Sequence, residues 1–134
     1  MRLNHVDLQV SDVDRAREFF ETLFDFRCVF QRRAELAILE DEAGFSLGVS
    51  NLFGSPAPVY PPDFHVGFVL ETEAQVRAHY ERLTRAGVEM KAELAIGGPN
   101  LYFMCVGPDS IPVEVRAPRD AAQSRPPSSG EDAG

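Results

Sequence analysis

Apolar and polar residues alternate along residues 4–10, which predicts a β-strand with one core-facing side. Apolar residues at helical spacing follow and predict a helix at 12–24. The same order returns about sixty residues later, with a strand at 64–70 and a helix within 71–86. A strand–helix pattern that recurs at this period predicts two copies of one structural unit.

Sequence signals also mark the ends of both predicted helices. Ser11 is the predicted N-cap of the first helix, with Asp14 three positions later in an approximate capping box. Thr72 is the predicted N-cap of the second helix, with Gln75 at the capping-box position. Gly87 is expected to end that helix in a left-handed conformation.

Three short apolar runs follow each helix and predict three further strands per copy. These runs lie at 26–33, 35–41 and 45–50 in the first copy and at 88–93, 101–106 and 111–117 in the second. The order predicts an α+β fold of two tandem βαβββ modules that form a curled mixed sheet around a cavity.

Composition sets the expected boundaries within this fold. We expect a single domain at 1–117, with module one at 1–50 and module two at 64–117. The segment between them, 51–63, contains four prolines and is predicted to be a linker. Residues 118–134 offer little apolar surface to bury, so we expect a disordered tail.

The net charge of the chain limits the classes of partner that it can be expected to bind. A net charge of −8 and a pI near 4.8 argue against nucleic acid, because binding phosphates requires a basic face. No apolar run reaches membrane-spanning length and no signal-peptide pattern is present, so we expect a cytoplasmic protein with no membrane partner. Cys28 and Cys105 lack a metal-binding or redox spacing and are expected to be buried thiols.

Three residues form a candidate metal-binding set. His5 and His65 open the first strand of each copy, and Glu114 lies between two valines in the last strand. Two imidazoles and one carboxylate are the ligands expected for Fe, Mn, Ni or Zn. A lone histidine or glutamate at such a position is commonly a solvated surface residue. The equivalent positions of the two histidines favour a shared metal site.

Further candidates share strand faces with this set. Asp7 follows His5 by the strand period of two and is a candidate general base; alternatively it orients a neighbour or faces solvent. Gln9, Tyr102 and Arg116 are candidates for substrate binding, and Arg116 shares the face of Glu114, where it pairs with that carboxylate or with an anionic ligand. His79 has no equivalent in the first copy and is expected to be structural.

Four segments carry a family resemblance: Leu3–Asp12, the helix with Phe19 and Phe20, Phe64–Phe68 and Gly107–Val115. Together they resemble the vicinal oxygen chelate superfamily, which includes glyoxalase I, fosfomycin-resistance transferases, bleomycin-resistance proteins and extradiol dioxygenases. The resemblance spans about residues 3–117. It implies that His5, His65 and Glu114 fall at the family's metal positions.

The resemblance implies a metal-dependent enzyme in which a divalent ion chelates two vicinal oxygens of a small substrate, by lyase, isomerase or dioxygenase chemistry. The alternative is a non-catalytic drug-binding protein similar to bleomycin-resistance proteins. Two departures bear on specific activities. The strand at 44–49 lacks the fourth carboxylate of glyoxalase I-like members. Asp7 stands where fosfomycin-resistance members carry a catalytic threonine, and 95–100 differs from their phosphonate loop.

We expect a homodimer. A module has one helix to cover one face of its sheet, and pairing with a second chain is an economical way to enclose the other face. The linker at 51–63 would allow the modules to pair between chains. His5 would then face His65 and Glu114 of the partner chain.

Overall fold

The computed structural model describes residues 1–120, which divide into two compact units. Unit 1 comprises Met1–Phe64 together with Gly107–Ile111, and unit 2 comprises His65–Val106 and the chain from Pro112. The elements, in chain order, are β1 His5–Gln9, α1 Val13–Phe24, β2 Arg27–Arg32, β3 Leu36–Glu40, β4 Ser46–Ser50, β5 Val66–Val69, α2 Glu73–Arg85, β6 Met90–Gly97, β7 Asn100–Val106, a 3-10 turn Pro108–Ser110, and β8 Pro112–Pro118.

Unit 1 is a four-stranded mixed sheet in the order β1-β4-β3-β2, with α1 packed against β2, β3 and β4. β1 runs parallel to β4, and the other neighbours are antiparallel. The alternation of β1 and the spacing of α1 place their apolar residues in one core. Its buried side chains include Leu8, Val10, Val13, Ala16, Phe20, Phe24, Leu39, Leu47 and Val49.

Unit 2 repeats this topology in the order β5-β8-β7-β6, with α2 packed against β7 and β8. β5 runs parallel to β8, and the remaining pairs are antiparallel. Its buried side chains include Val76, Leu83, Leu101, Phe103, Cys105, Val113, Val115 and Ala117. The predicted α+β class and the two βαβββ modules are therefore confirmed.

The predicted N-cap of α1 is wrong by one residue. Asp12 has extended backbone angles and accepts from the backbone N of Arg15, so Asp12 is the N-cap. Ser11 instead donates from its N and Oγ to the Asp109 carboxylate, over 2.7 and 2.6 Å. Because its hydroxyl is bound there, Ser11 does not cap, and Asp14 forms no capping box with it.

The caps of α2 agree with the prediction. Thr72 and Gln75 form a complete capping box. After the helix, Gly87 has a φ of 81°, a left-handed conformation that glycine adopts without steric cost. The N–H of Gly87 donates to Thr84 O.

β6 and β8 extend beyond their predicted ends. β6 extends to Gly97 because its last residues pair with Leu101 and Asn100 across a tight turn, whereas the sequence predicted an end at 93. β8 extends to Pro118, and the N–H groups of Arg119 and Asp120 donate to Pro99 O and the Glu73 carboxylate. The predicted disorder therefore does not begin at 118, and the rest of the predicted tail lies outside the described residues. Within residues 1–120 no helix is long and apolar enough to cross a membrane.

Candidate functional site

Unit 2 brings His65 and Glu114 together. Val113 and Val115 are buried in the core, so Glu114 projects from the side of the sheet opposite α2, which we call the site face of unit 2. β8 holds Glu114 in register with Gly67, two residues after His65. The His65 Nε2 lies 3.8 Å from the Glu114 Oε1. This is a separation at which an imidazole and a carboxylate can share one cation.

Arg116 and Tyr102 lie on the same site face. They are directly paired between β8 and β7, and Arg116 Nη1 lies 4.0 Å from Glu114 Oε1. The Tyr102 ring lies over Gly97, where an added Cβ would be 2.8 Å from its Cε1. Arg116 thus places a cation beside the Glu114 carboxylate, and Tyr102 adds a phenol hydroxyl to the same face. Both groups suit an oxygen-rich ligand.

Unit 1 presents His5 on β1. The His5 Nδ1 lies 2.8 Å from Asn4 Oδ1. An amide oxygen only accepts hydrogen bonds, so Nδ1 donates and Nε2 is the ring nitrogen left to bind a metal. A hydrogen bond from the second ring nitrogen is the usual support of a metal-ligating histidine.

Asp7 follows on the same side of β1, opposite α1, which we call the site face of unit 1. Its register partner is Gly48 of β4. A Cβ added at Gly48 would lie 2.2 Å from Asp7 Oδ1, so the carboxylate occupies the space of the missing side chain. The other oxygen, Asp7 Oδ2, accepts from Ser50 Oγ over 3.3 Å.

Two cavities open on the site face of unit 1, and Asp7 lines both. The larger, about 440 Å³, is lined by Asn4, His5, Val6, Asp7, Leu36, Ile38, Ser46 and Gly48. The smaller, about 230 Å³, is lined by Asp7, Gln9, Ser50, Asn51, Leu52, Phe53 and Ser55. Gln9 therefore lies in a cavity with Asp7, as its position in the strand suggests.

The linker builds one wall of the smaller cavity. Asn51 holds the loop through bonds from Nδ2 to Ser55 O, at 3.1 Å, and from Ser55 N to Oδ1, at 2.7 Å. Farther along, Tyr60 donates from its hydroxyl to the backbone O of Gln9 and stacks on Phe64. Burial, then the charge of Asp109, raises the pKa of Tyr60, which keeps its hydroxyl protonated as a donor.

Sequence reasoning missed the supporting residues. Gly48, Ser50 and Asn4 were not predicted, although a glycine inside an otherwise apolar strand is a known sign of close approach by another group. His79 stacks on Phe103 in unit 2, consistent with a structural role. Cys28 and Cys105 are free thiols; Cys105 is buried as expected, whereas Cys28 is only partly buried.

Neither unit by itself, within residues 1–120, gathers three His, Cys, Asp or Glu side chains into a metal-binding group. Each unit instead supplies part of the predicted set: His5 in unit 1, and His65 with Glu114 in unit 2. The donor types nevertheless fit a divalent transition metal, since two imidazole nitrogens and a carboxylate oxygen are borderline and hard ligands.

Comparisons with known proteins agree with the architecture. A possible glyoxalase from Bacillus cereus is 32% identical, with a TM-score of 0.76 over 86% of this chain and 97% of that one. Lactoylglutathione lyase from Agrobacterium tumefaciens is 17% identical, with a TM-score of 0.72 over 87% and 92% of the two chains. A glyoxylase/bleomycin resistance protein/dioxygenase domain from Frankia sp. EAN1pec is 20% identical, with a TM-score of 0.77 over 89% and 98%.

The similarities to the Agrobacterium tumefaciens and Frankia proteins show the fold alone. No curated protein matches the sequence. The family model of the Glyoxalase/Bleomycin resistance protein/Dioxygenase superfamily matches residues 2–115. That match covers most of the chain, and the chain therefore belongs to this superfamily.

Proposed function

We propose that this protein is a metal-dependent enzyme that acts on a small substrate with two neighbouring oxygen atoms. The observation that carries the proposal is the His65–Glu114 pair, 3.8 Å apart on the site face of unit 2. In unit 1, His5 occupies the equivalent strand position, and its hydrogen bond to Asn4 leaves Nε2 available.

In this proposal His5, His65 and Glu114 hold a divalent Fe, Mn, Ni or Zn ion. When bound, such an ion would act as a Lewis acid towards two substrate oxygens, and its positive charge would stabilise negative charge that develops on them. The reaction is of the lyase, isomerase or dioxygenase type. The family match and its small-molecule chemistry support this class of function.

The remaining site residues act on the substrate. Asp7 takes a proton from it as general base, because its carboxylate faces both cavities of unit 1. Gln9 and Tyr102 bind its polar groups. Arg116, which is about half exposed and reaches Glu114, neutralises negative charge on the bound substrate.

A non-catalytic drug-binding protein is the second candidate. It is favoured by the apolar side chains of Leu52 and Phe53, which are 46% and 89% exposed beside the smaller cavity of this acidic protein. A purely binding protein has no use for two imidazoles and a carboxylate. Metal content of protein purified without added metal separates the two candidates: a near-stoichiometric ion supports the enzyme, and none supports the binding protein.

Replacing His65 or Glu114 with Ala is expected to abolish metal binding with little loss of fold stability. Both side chains lie on the site face outside the core, His65 with 46% exposure, so they contribute to metal affinity more than to packing. Elemental analysis and thermal unfolding of the same preparations measure both effects.

Glu81→Ala is the matched control, since it removes an exposed carboxylate that pairs only loosely with Arg85, at 3.7 Å. This variant should keep full metal content. Full metal occupancy in either the His65 or the Glu114 variant would disprove the assigned ligand set.

A further inference from the structure

A glycine faces a carboxylate at the same place in both units. In unit 1, Asp7 of β1 is in register with Gly48 of the parallel strand β4. In unit 2, Gly67 of β5 is in register with Glu114 of the parallel strand β8. A Cβ at Gly48 would lie 2.2 Å from Asp7 Oδ1, and a Cβ at Gly67 would lie 3.5 Å from Glu114 Oε1. In each unit the carboxylate therefore leans over the glycine.

The strand that carries the carboxylate in one unit corresponds to the strand that carries the glycine in the other. His5 and His65 are equivalent, so Asp7 corresponds to Gly67, and Gly48 corresponds to Glu114. The carboxylate comes from the first strand in unit 1 and from the last strand in unit 2. The Asp7 carboxylate leans from β1 over β4, and the Glu114 carboxylate leans from β8 over β5. Each therefore lies on the parallel strand pair of its unit, in register two residues beyond the histidine.

We propose that Asp7 is the unit 1 counterpart of Glu114 and supplies a further carboxylate oxygen to the metal. This inference rests on the proposed function and extends its ligand set to one imidazole and one carboxylate from each unit. Asp7 Oδ1, which leans over Gly48, is the donor. Asp7 Oδ2, which accepts from Ser50, remains available for proton transfer.

Gly48 is then a positioning residue. Its φ is not positive, so the backbone at this position accepts an alanine. The obstacle to a side chain is Asp7 itself, because real Cβ atoms do not come within 2.2 Å of an oxygen. Gly48→Ala should therefore push the Asp7 carboxylate aside while leaving the strand intact.

The test is isothermal titration of Mn²⁺ into metal-free protein, with circular dichroism to check folding. Asp7→Ala removes the proposed ligand, and Gly48→Ala displaces it. Each should weaken Mn²⁺ binding by about tenfold or more, as the loss of groups that support a metal site does. The double variant Asp7→Gly/Gly48→Glu moves the carboxylate onto β4, the arrangement of unit 2. It should regain most of the affinity that Asp7→Ala loses.

Glu18→Ala is the control for the loss of one negative charge from unit 1, since Glu18 is exposed on α1, on the side of the sheet opposite the site face. If Gly48→Ala fails to fold, Asp7→Ala/Gly48→Ala removes the clash, and its affinity should equal that of Asp7→Ala. Wild-type affinity in Asp7→Ala, alongside its loss in Glu114→Ala, would overturn the inference and leave the proposed function standing. No Mn²⁺, Fe²⁺, Ni²⁺ or Zn²⁺ binding by the wild-type protein would overturn both.

Discussion

At the residue scale, the two thiols illustrate how strongly burial controls chemistry in this fold. Cys105 is fully buried on β7, and desolvation raises its thiol pKa from 9.0 to about 12. Cys28 is partly buried on β2. We expect one thiol, Cys28, to react with Ellman's reagent at pH 8 in the native protein and both to react in guanidinium. Rapid reaction of two thiols in the native state would contradict the burial of Cys105.

The same residue predicts an alkaline loss of stability. The unfolded Cys105 thiol loses its proton above its ordinary pKa of 9.0, whereas the folded thiol keeps it until about pH 12. Its contribution to stability is therefore fully present below pH 9.0 and decreases as the pH rises through this window. Urea unfolding of Cys105→Ala should lose this part of the pH dependence. If the free energy of unfolding of Cys105→Ala decreases with pH as steeply as that of the wild type, other groups cause the alkaline loss of stability.

The candidate site could be predicted from sequence only in part. Strand periodicity placed Asp7 and Gln9 on the side of His5, and the repeat made the two histidines equivalent. The role of Gly48 was not predicted because it depends on a contact with Asp7 on the neighbouring strand. The two residues are in register but lie 41 positions apart in the sequence. The glycine itself signals a close approach, but the sequence does not say which side chain fills the space.

At the scale of the elements, the caps provide a direct test of the corrected start of α1. Asp12→Ala should destabilise the protein by about 1 kcal/mol, because the carboxylate accepts from Arg15 N and satisfies a free helix N–H. Asp12→Asn keeps an acceptor oxygen and should cost much less. Chemical denaturation measures both, and equal losses in the two variants would argue against capping by Asp12.

Local signals predicted α2 better than α1 for a physical reason. The capping box of α2 is made by residues three positions apart, so it is visible in the sequence. The start of α1 depends on Asp109, which binds Ser11 from 98 positions away. The ends of β6 and β8 shifted for similar reasons, since pairing with β7 and contacts to Pro99 and Glu73 extend them.

At the scale of the whole molecule, the fold followed from two periodicities that repeat in the same order. A strand period, a helix period and three strand runs per copy restrict each copy to one helix packed on one sheet. The apolar patterns are strong in both copies, so the topology of each unit could be predicted from the sequence.

We expect a homodimer in solution. Val69, on the site face of unit 2, is 73% exposed, and contact with a second chain would bury this apolar side chain. Sedimentation velocity at micromolar concentration should show a dimer, and Val69→Glu should shift it towards monomer if this face lies at the interface. A monomer at all concentrations of the wild-type protein would contradict the expectation.

Mixing two variants that each lack one of the histidine ligands tests whether the metal site is shared between chains. If His5 of one chain joins His65 and Glu114 of the other, a mixed dimer of His5→Ala and His65→Ala chains contains one intact site and one that lacks both histidines. The two variants, unfolded and refolded together, should then recover metal binding that neither shows alone. If the units pair within one chain, every site in the mixture lacks a histidine and no recovery occurs. Metal content of the mixed sample, with each variant refolded separately as control, decides between these two arrangements.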